Sequence, residues 1–137
     1  MSRSGYSDDY DFDNWAHIRW RGQVASSIKG KRGQSFLKAL LSSLDAMPEK
    51  RLIAGELEHQ GEVCTIGALG KATSTDMSKL DPQDSASVAA AFNIAEPLAR
   101  EIVYLNDECG WDWKNQKPET PEQRWTRMRA EVAAMIK

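Results

Sequence analysis

The residues in this chain best equipped for chemistry are few: His17, His59, Cys64, Cys109 and the run Asn106-Asp107-Glu108. Two histidines and two cysteines are the donor types of a Cys2His2 zinc site. No two of them lie at zinc-ligand spacing, so surface histidines and ordinary thiols are expected instead. Cys64 and His59 are also the residue types of a thiol nucleophile and its base. Cys64, however, falls in the apolar, glycine-containing run Val63-Cys64-Thr65-Ile66-Gly67-Ala68-Leu69-Gly70-Lys71-Ala72, where burial raises a thiol's pKa and leaves it inert. That run has neither the G-x-G-x-x-G nor the G-x-x-x-x-G-K-[ST] spacing, and Ala72 follows Lys71, so it reads as close packing and not as a phosphate loop. Asn106-Asp107-Glu108 supplies hard oxygen donors, yet a cation cage needs more ligands at defined intervals. The simpler expectation is a helix terminus whose short side chains satisfy loose backbone groups. No catalytic residue, cofactor or metal is expected.

Two other groups point to binding. Arg19, Arg21, Lys29, Lys31, Arg32 and Lys38 fall in residues 15–44, which hold no acidic side chain. With Trp20 beside them, such a patch could hold phosphates while the indole stacks on a base. The alternative is a solvated surface balanced by acidic neighbours, Asp8, Asp9, Asp11 and Asp13 among them. Trp15 and Trp125 fit apolar stripes, whereas Trp20, Trp111 and Trp113 do not. Large aromatics outside a core stripe are the side chains that dominate interface hot spots, so these three are candidate partner-binding residues. A loop holding Trp111-Asp112-Trp113 either folds back on its own domain or, if exposed, marks a binding surface.

The elements that must position these groups are predominantly helical. With 41% hydrophobic and 28% charged residues the 137-residue chain is expected to fold, as one domain over residues 12–137 behind a flexible acidic tail at 1–11. Trp15, Ile18, Gly22, Ala25 and Ile28 suggest a first helix opening near Asp13 or Asn14. Phe36, Leu37, Leu40, Leu41 and Leu44 form a stronger second stripe, with Gly30 and Gly33 at the turn and Met47-Pro48 as its stop. Residues 49–60 favour helix by propensity, with a short β-hairpin near 52–66 as the alternative. Thr65–Ala72 suits a short buried helix. Asp81-Pro82 signals the next helix start, Asn93 a left-handed stop, and Leu98, Ile102 and Leu105 one face of the following helix. Residues 107–119 read as loop. Thr120-Pro121-Glu122-Gln123 is a capping box opening the last helix, whose core face is Trp125, Met128, Val132 and Met135 or Ile136. The fold class expected is a mainly α single-domain bundle of about five or six helices.

A formal charge of −2 gives no global attraction to nucleic acid or membrane. No apolar run approaches the roughly 20 residues that span a bilayer, and two distant cysteines suit free thiols in a reducing cytoplasm. A soluble, cytoplasmic protein is expected.

The Cys-x-Ile-Gly-Ala-Leu stretch at Cys64–Leu69, the helix ending in Leu105-Asn106-Asp107 and the Thr120-Pro121-Glu122-x-Arg124-Trp125 start carry a family likeness. Over roughly residues 10–136 the chain resembles small uncharacterised proteins of tailed phages and prophages. Met1–Asp9 and the pattern Trp15…Trp20-Arg21-Gly22 fit the same group. The resemblance implies a phage-like origin in a bacterial host cell and a shared fold, and no activity follows from it residue by residue. The expected function is that of a non-catalytic accessory protein that binds a macromolecule, a host protein such as a defence-system component. The alternative is a small nucleic-acid-binding regulator using Arg19, Arg21, Lys29, Lys31 and Arg32.

Overall fold

Phe36, Leu37, Leu40 and Leu44 become the spine of the core on helix α2 (Lys31–Ala46). The computed structural model describes residues 3–5 and 14–137. Among the described residues the fold is mainly α, with α1 (Asn14–Lys29), α2, α3 (Thr65–Ala72), α4 (Ser85–Ala91), α5 (Glu96–Glu108) and α6 (Pro121–Met135). Two short antiparallel hairpins join them, β1 (Glu58–His59) with β2 (Glu62–Val63) and β3 (Trp111–Asp112) with β4 (Lys117–Pro118). Helix α2 packs on α3 and α6, while α5 packs on α1 and α4. Leu52, Ile66, Leu98, Ile102, Met128 and Val132 complete the fully buried centre, each side chain stabilising by about 1.5–3 kcal/mol through lost apolar exposure.

Local chemistry sets most boundaries. Thr120 Oγ1 accepts the Gln123 N–H at 3.1 Å and Gln123 Oε1 accepts the Thr120 N–H at 2.8 Å, the reciprocal capping box expected for α6. Helix α3 spans the expected residues, with Cys64 as its cap. Asn93, at φ 54°, ends α4 in the left-handed conformation. The N–H groups of Asn93 and Ile94 close back on the Ala90 and Ala89 carbonyls.

Four expectations are corrected. Residues 49–60 are not helical: the backbone of Leu52 and Ile53 bonds outward to Pro121 and Val63, and hairpin β1–β2 follows. Asp81 does not cap a helix but accepts the Gln83 N–H as a turn, and the cap of α4 is Asp84, bonded to the Ser87 N–H. Asp107 and Glu108 belong to α5, and a second hairpin replaces the loop expected at 107–119. Finally, α1 buries the opposite side from the one its large residues suggested. Val24 is fully buried, whereas Trp15 is 71% and Ile18 57% exposed, with Gly22 and Ala25 exposed beside them. A single β-branched residue among half-buried Ala16, Trp20 and Ile28 makes the real contact face. Of the expected tail, residues 1–2 and 6–11 lie outside the described residues, as does the helix-start candidate Asp13; Arg3 and Ser4 are buried.

The glycines differ in the same way. A Cβ on Gly33 would lie 1.9 Å from the Ser27 carbonyl oxygen and one on Gly67 2.0 Å from that of Leu57, so each permits a close backbone approach. Gly22, mid-helix in α1, has nothing within 4 Å of that position among the described residues. Gly22→Ala is expected to raise stability by about 0.5–1 kcal/mol through backbone entropy alone, whereas Gly33→Ala and Gly67→Ala lower it. Urea denaturation of the three variants checks this; a Gly33→Ala variant as stable as wild type would refute the tight α1–α2 junction.

Candidate functional site

The C-terminal end of α5 gathers the polar residues that the sequence scatters. Asn106 is 1% exposed, and its amide is used at both ends. Oδ1 accepts from the Thr65 N–H at 3.1 Å and the Thr65 hydroxyl at 2.7 Å, while Nδ2 donates to the Ile53 carbonyl at 3.0 Å and to Asp107 Oδ1 at 2.8 Å. Asp107 receives a two-pronged Arg3 guanidinium, Nε at 2.7 Å and Nη2 at 2.8 Å, together with the Gly55 N–H. The remaining Arg3 nitrogen donates to Cys64 Sγ at 3.7 Å, and that sulfur also accepts the Gly67 N–H to cap α3. Ser4 hydrogen-bonds Glu108 through its hydroxyl, and its carbonyl accepts from Arg100, whose guanidinium lies 4.6 Å from the Trp20 ring centroid. Arginines of α6 close the other side. Arg124 donates to the Asn106 and Leu52 carbonyls, and Arg127 to the Leu105 carbonyl and the Glu119 carboxylate.

Burial works against charge on both members of the Arg3–Asp107 pair, and the contacts win. Desolvation alone would raise the Asp107 pKa, but the Arg3 guanidinium, the Asn106 amide and the Gly55 N–H hold it below the ordinary carboxylate range. Burial would likewise lower the Arg3 pKa, yet Cys64 and Asp107 beside it raise it.

The second cluster is hairpin β3–β4. Asp112 accepts the Asn115 backbone N–H at 3.1 Å, the Asn115 amide at 2.8 Å and the Gln123 amide at 3.0 Å. These bonds, the Asn115 side chain first, hold its carboxyl down at about 2. Through Gln123 the turn is tied to the capping box of α6. At the hairpin's base the Glu119 carboxylate occupies the space a Cβ on Gly110 would need, and it pairs with Arg127 at 2.6 Å and Arg124 at 3.3 Å. This frame carries Trp111 and Trp113 with ring centroids 6.2 Å apart at 65°, and they are 43% and 75% exposed.

The other residues singled out from the sequence are dispersed. Trp20 is half-buried under Arg100. Arg21 pairs with the buried Glu101 at 2.7 Å, which docks α1 on α5. Arg19, Lys29, Lys31 and Arg32 are exposed and make no ion pair among the described residues. Lys31 and Arg32 border an open cleft of about 690 Å³ whose lining includes Phe36, Leu69 and Phe92. His59 faces Glu56 at 3.2 Å, while Cys64 Sγ bonds Arg3 and Gly67. Cys109 is exposed, and partial burial pushes its thiol pKa up. Among the described residues no three His, Cys, Asp or Glu side chains group so as to hold a metal ion, and no helix is long and apolar enough to cross a membrane. The sequence assigns no site role to Arg3, Glu119, Arg124 and Arg127, of which Arg3 and Arg124 enter only as members of the likeness motifs. Asp112 was legible in principle, as an Asp three residues before an Asn in a turn.

Compared with protein-family models, curated proteins and solved structures, the chain finds no match.

Asp107→Asn removes the charge that pairs with the buried Arg3, and is expected to cost about 3–5 kcal/mol. Because the folded pKa of Asp107 is depressed, its contribution is complete above the unfolded carboxylate pKa of about 3.9 and is lost as pH falls through the lower folded value. The same sign holds for Asp112. Wild-type stability, followed by urea denaturation from pH 7 to pH 2, should therefore drop in acid, and Asp107→Asn should flatten that drop. Equal acid slopes in the two proteins would contradict the pairing.

Proposed function

We propose that this protein is non-catalytic and acts by binding another protein, with Trp113 and Trp111 as anchors. The observation that carries this reading is a solvent-exposed tryptophan pair on a turn already held rigid by Asp112, Asn115 and Gln123. Exposed aromatic surface is costly to leave in water, and an anchor fixed before binding loses little conformational freedom when it docks. Tryptophan is also the residue type most enriched among interface hot spots. The likeness to phage and prophage proteins adds the setting: an accessory protein that modulates a host protein, such as a component of a defence system, in the bacterial cytoplasm.

A second reading has its own observation. Arg19, Lys29, Lys31 and Arg32 are exposed and make no ion pair among the described residues, and Phe36 and Phe92 line the cleft next to Lys31 and Arg32. In that reading phosphates sit on the cations, with affinity falling steeply as salt releases counterions.

Pull-downs from nuclease-treated bacterial lysate, with wild type and Trp113→Ala side by side, separate the two. A protein partner retained by wild type and lost by the variant supports docking. Titration calorimetry with that partner should then show Trp113→Ala costing about 2 kcal/mol or more of affinity with an unchanged melting temperature. Recovery abolished by nuclease, and a salt-sensitive gel shift lost on charge reversal at Lys29, Lys31 and Arg32, would overturn it.

A further inference from the structure

Helix α1 presents a second face that the hairpin reading does not use. Trp15, Ile18, Gly22 and Ala25 follow the alternating three- and four-residue spacing of a coiled-coil seam. At 3.6 residues per turn they fall within an arc of about 80° on the side away from Val24. All four are exposed, Trp15 and Ile18 by more than half. The large pair occupies the N-terminal half of the seam and the small pair the C-terminal half.

Gly22 makes this face more than an accident of composition. Glycine in the middle of a helix is unfavourable, and elsewhere in the fold helical glycines have internal reasons: Gly33 and Gly67 sit against neighbouring backbone, and Gly70 against the Met77 side chain. No atom of the described chain lies within 4 Å of the position a Gly22 Cβ would take. A helix glycine that nothing among the described residues requires suits close approach by something outside the chain.

Charge selects the visitor. Helix α1 contains no aspartate or glutamate. In seam register, Arg19 and Arg21 take the two positions that flank a coiled-coil core and set partner choice, and Lys29 continues the seam. A second copy of α1 would set arginine against arginine. We infer that the exposed face of α1 is a docking surface for an acidic amphipathic helix of another protein, one that seats a bulky apolar side chain over Gly22 and Ala25 and small residues over Trp15 and Ile18. Its acidic flanks would meet Arg19 directly and share Arg21 with Glu101, which already holds it at 2.7 Å.

The test is selection from a yeast-displayed library of three-heptad helical peptides, randomised at the seam and flanking positions, on the full folded chain. Enriched peptides should carry Asp or Glu at the flanks and a bulky apolar residue at one seam position. Their affinity should fall at least tenfold for Ile18→Glu and for Gly22→Gln. Both substitutions are at exposed positions, and Gly22→Gln should melt at or above wild type while losing the peptide, which separates docking from folding. The inference is overturned by no enrichment, by enriched peptides with basic or neutral flanks, by binding indifferent to both variants, or by sedimentation velocity showing a dimer dispersed by Gly22→Gln. Duplex DNA bound more tightly than the selected peptides, and lost on Arg19→Glu, would equally replace the helix with nucleic acid.

Discussion

One buried amide organises this molecule. Asn106 lies in the last turn of α5, where its side chain is buried, so each of its polar groups must find a partner inside the protein. Its solution is to let the amide act as a splice between three strands of backbone: its own helix, the first turn of α3 through Thr65, and the irregular segment before β1 through Ile53. The helix's terminal carbonyls would ordinarily be met by a glycine-based cap. Here arginines 124 and 127 reach across from α6 to do it. Position, register and packing of three helices thus depend on hydrogen bonds centred on two consecutive residues. Such a network is high-stakes, because a half-satisfied polar core is worse than an apolar one.

The apolar scaffold around that splice is what the sequence discloses most readily. The α2 stripe, the capping box of α6 and the small-residue helix α3 each have a dense local code, and they appear in the structure where that code puts them. The hairpin near 52–66, offered as the alternative to helix, is present as β1–β2, whereas β3–β4 carries no sequence signal, since strands of two residues are too short to show an alternating period. Residues 49–60 have good helix propensity, and tertiary bonding to Pro121 and Val63 overrode it. The face of α1 was misread for a different reason. Counting large apolar residues assumes that they are buried, and in this helix the tryptophan and isoleucine at 15 and 18 lie outside while Val24 does the packing.

The candidate site was legible only in part. Trp111 and Trp113 stood out because they matched no helical stripe, and that mismatch reflected real exposure. What holds them still could not be read: Glu119 acts through Arg127, and Asp112 acts through a glutamine that also caps the next helix. Each link spans 8 or 11 positions, beyond the reach of turn or helix rules yet too short to register as tertiary contact. Two kinds of surface result. The hairpin offers aromatic groups on a braced loop, and α1 offers a seam on a helix fixed to the body by Val24 and by the Arg21–Glu101 pair.

The seating of Arg3 also constrains the order of events during synthesis. Its carboxylate partner lies 104 positions later, so the guanidinium lacks that counter-charge until α5 has been made. Ser4 waits for Glu108 over the same interval. A growing chain therefore carries that cation without its Asp107 partner while those 104 positions are added. Bringing Arg3 against Cys64 and Asp107 closes a long loop, whose entropy cost grows slowly with length. Arg3 and Ser4 are thus fixed only once α5 exists, and until then the Arg3–Asp107 ion pair is open to water.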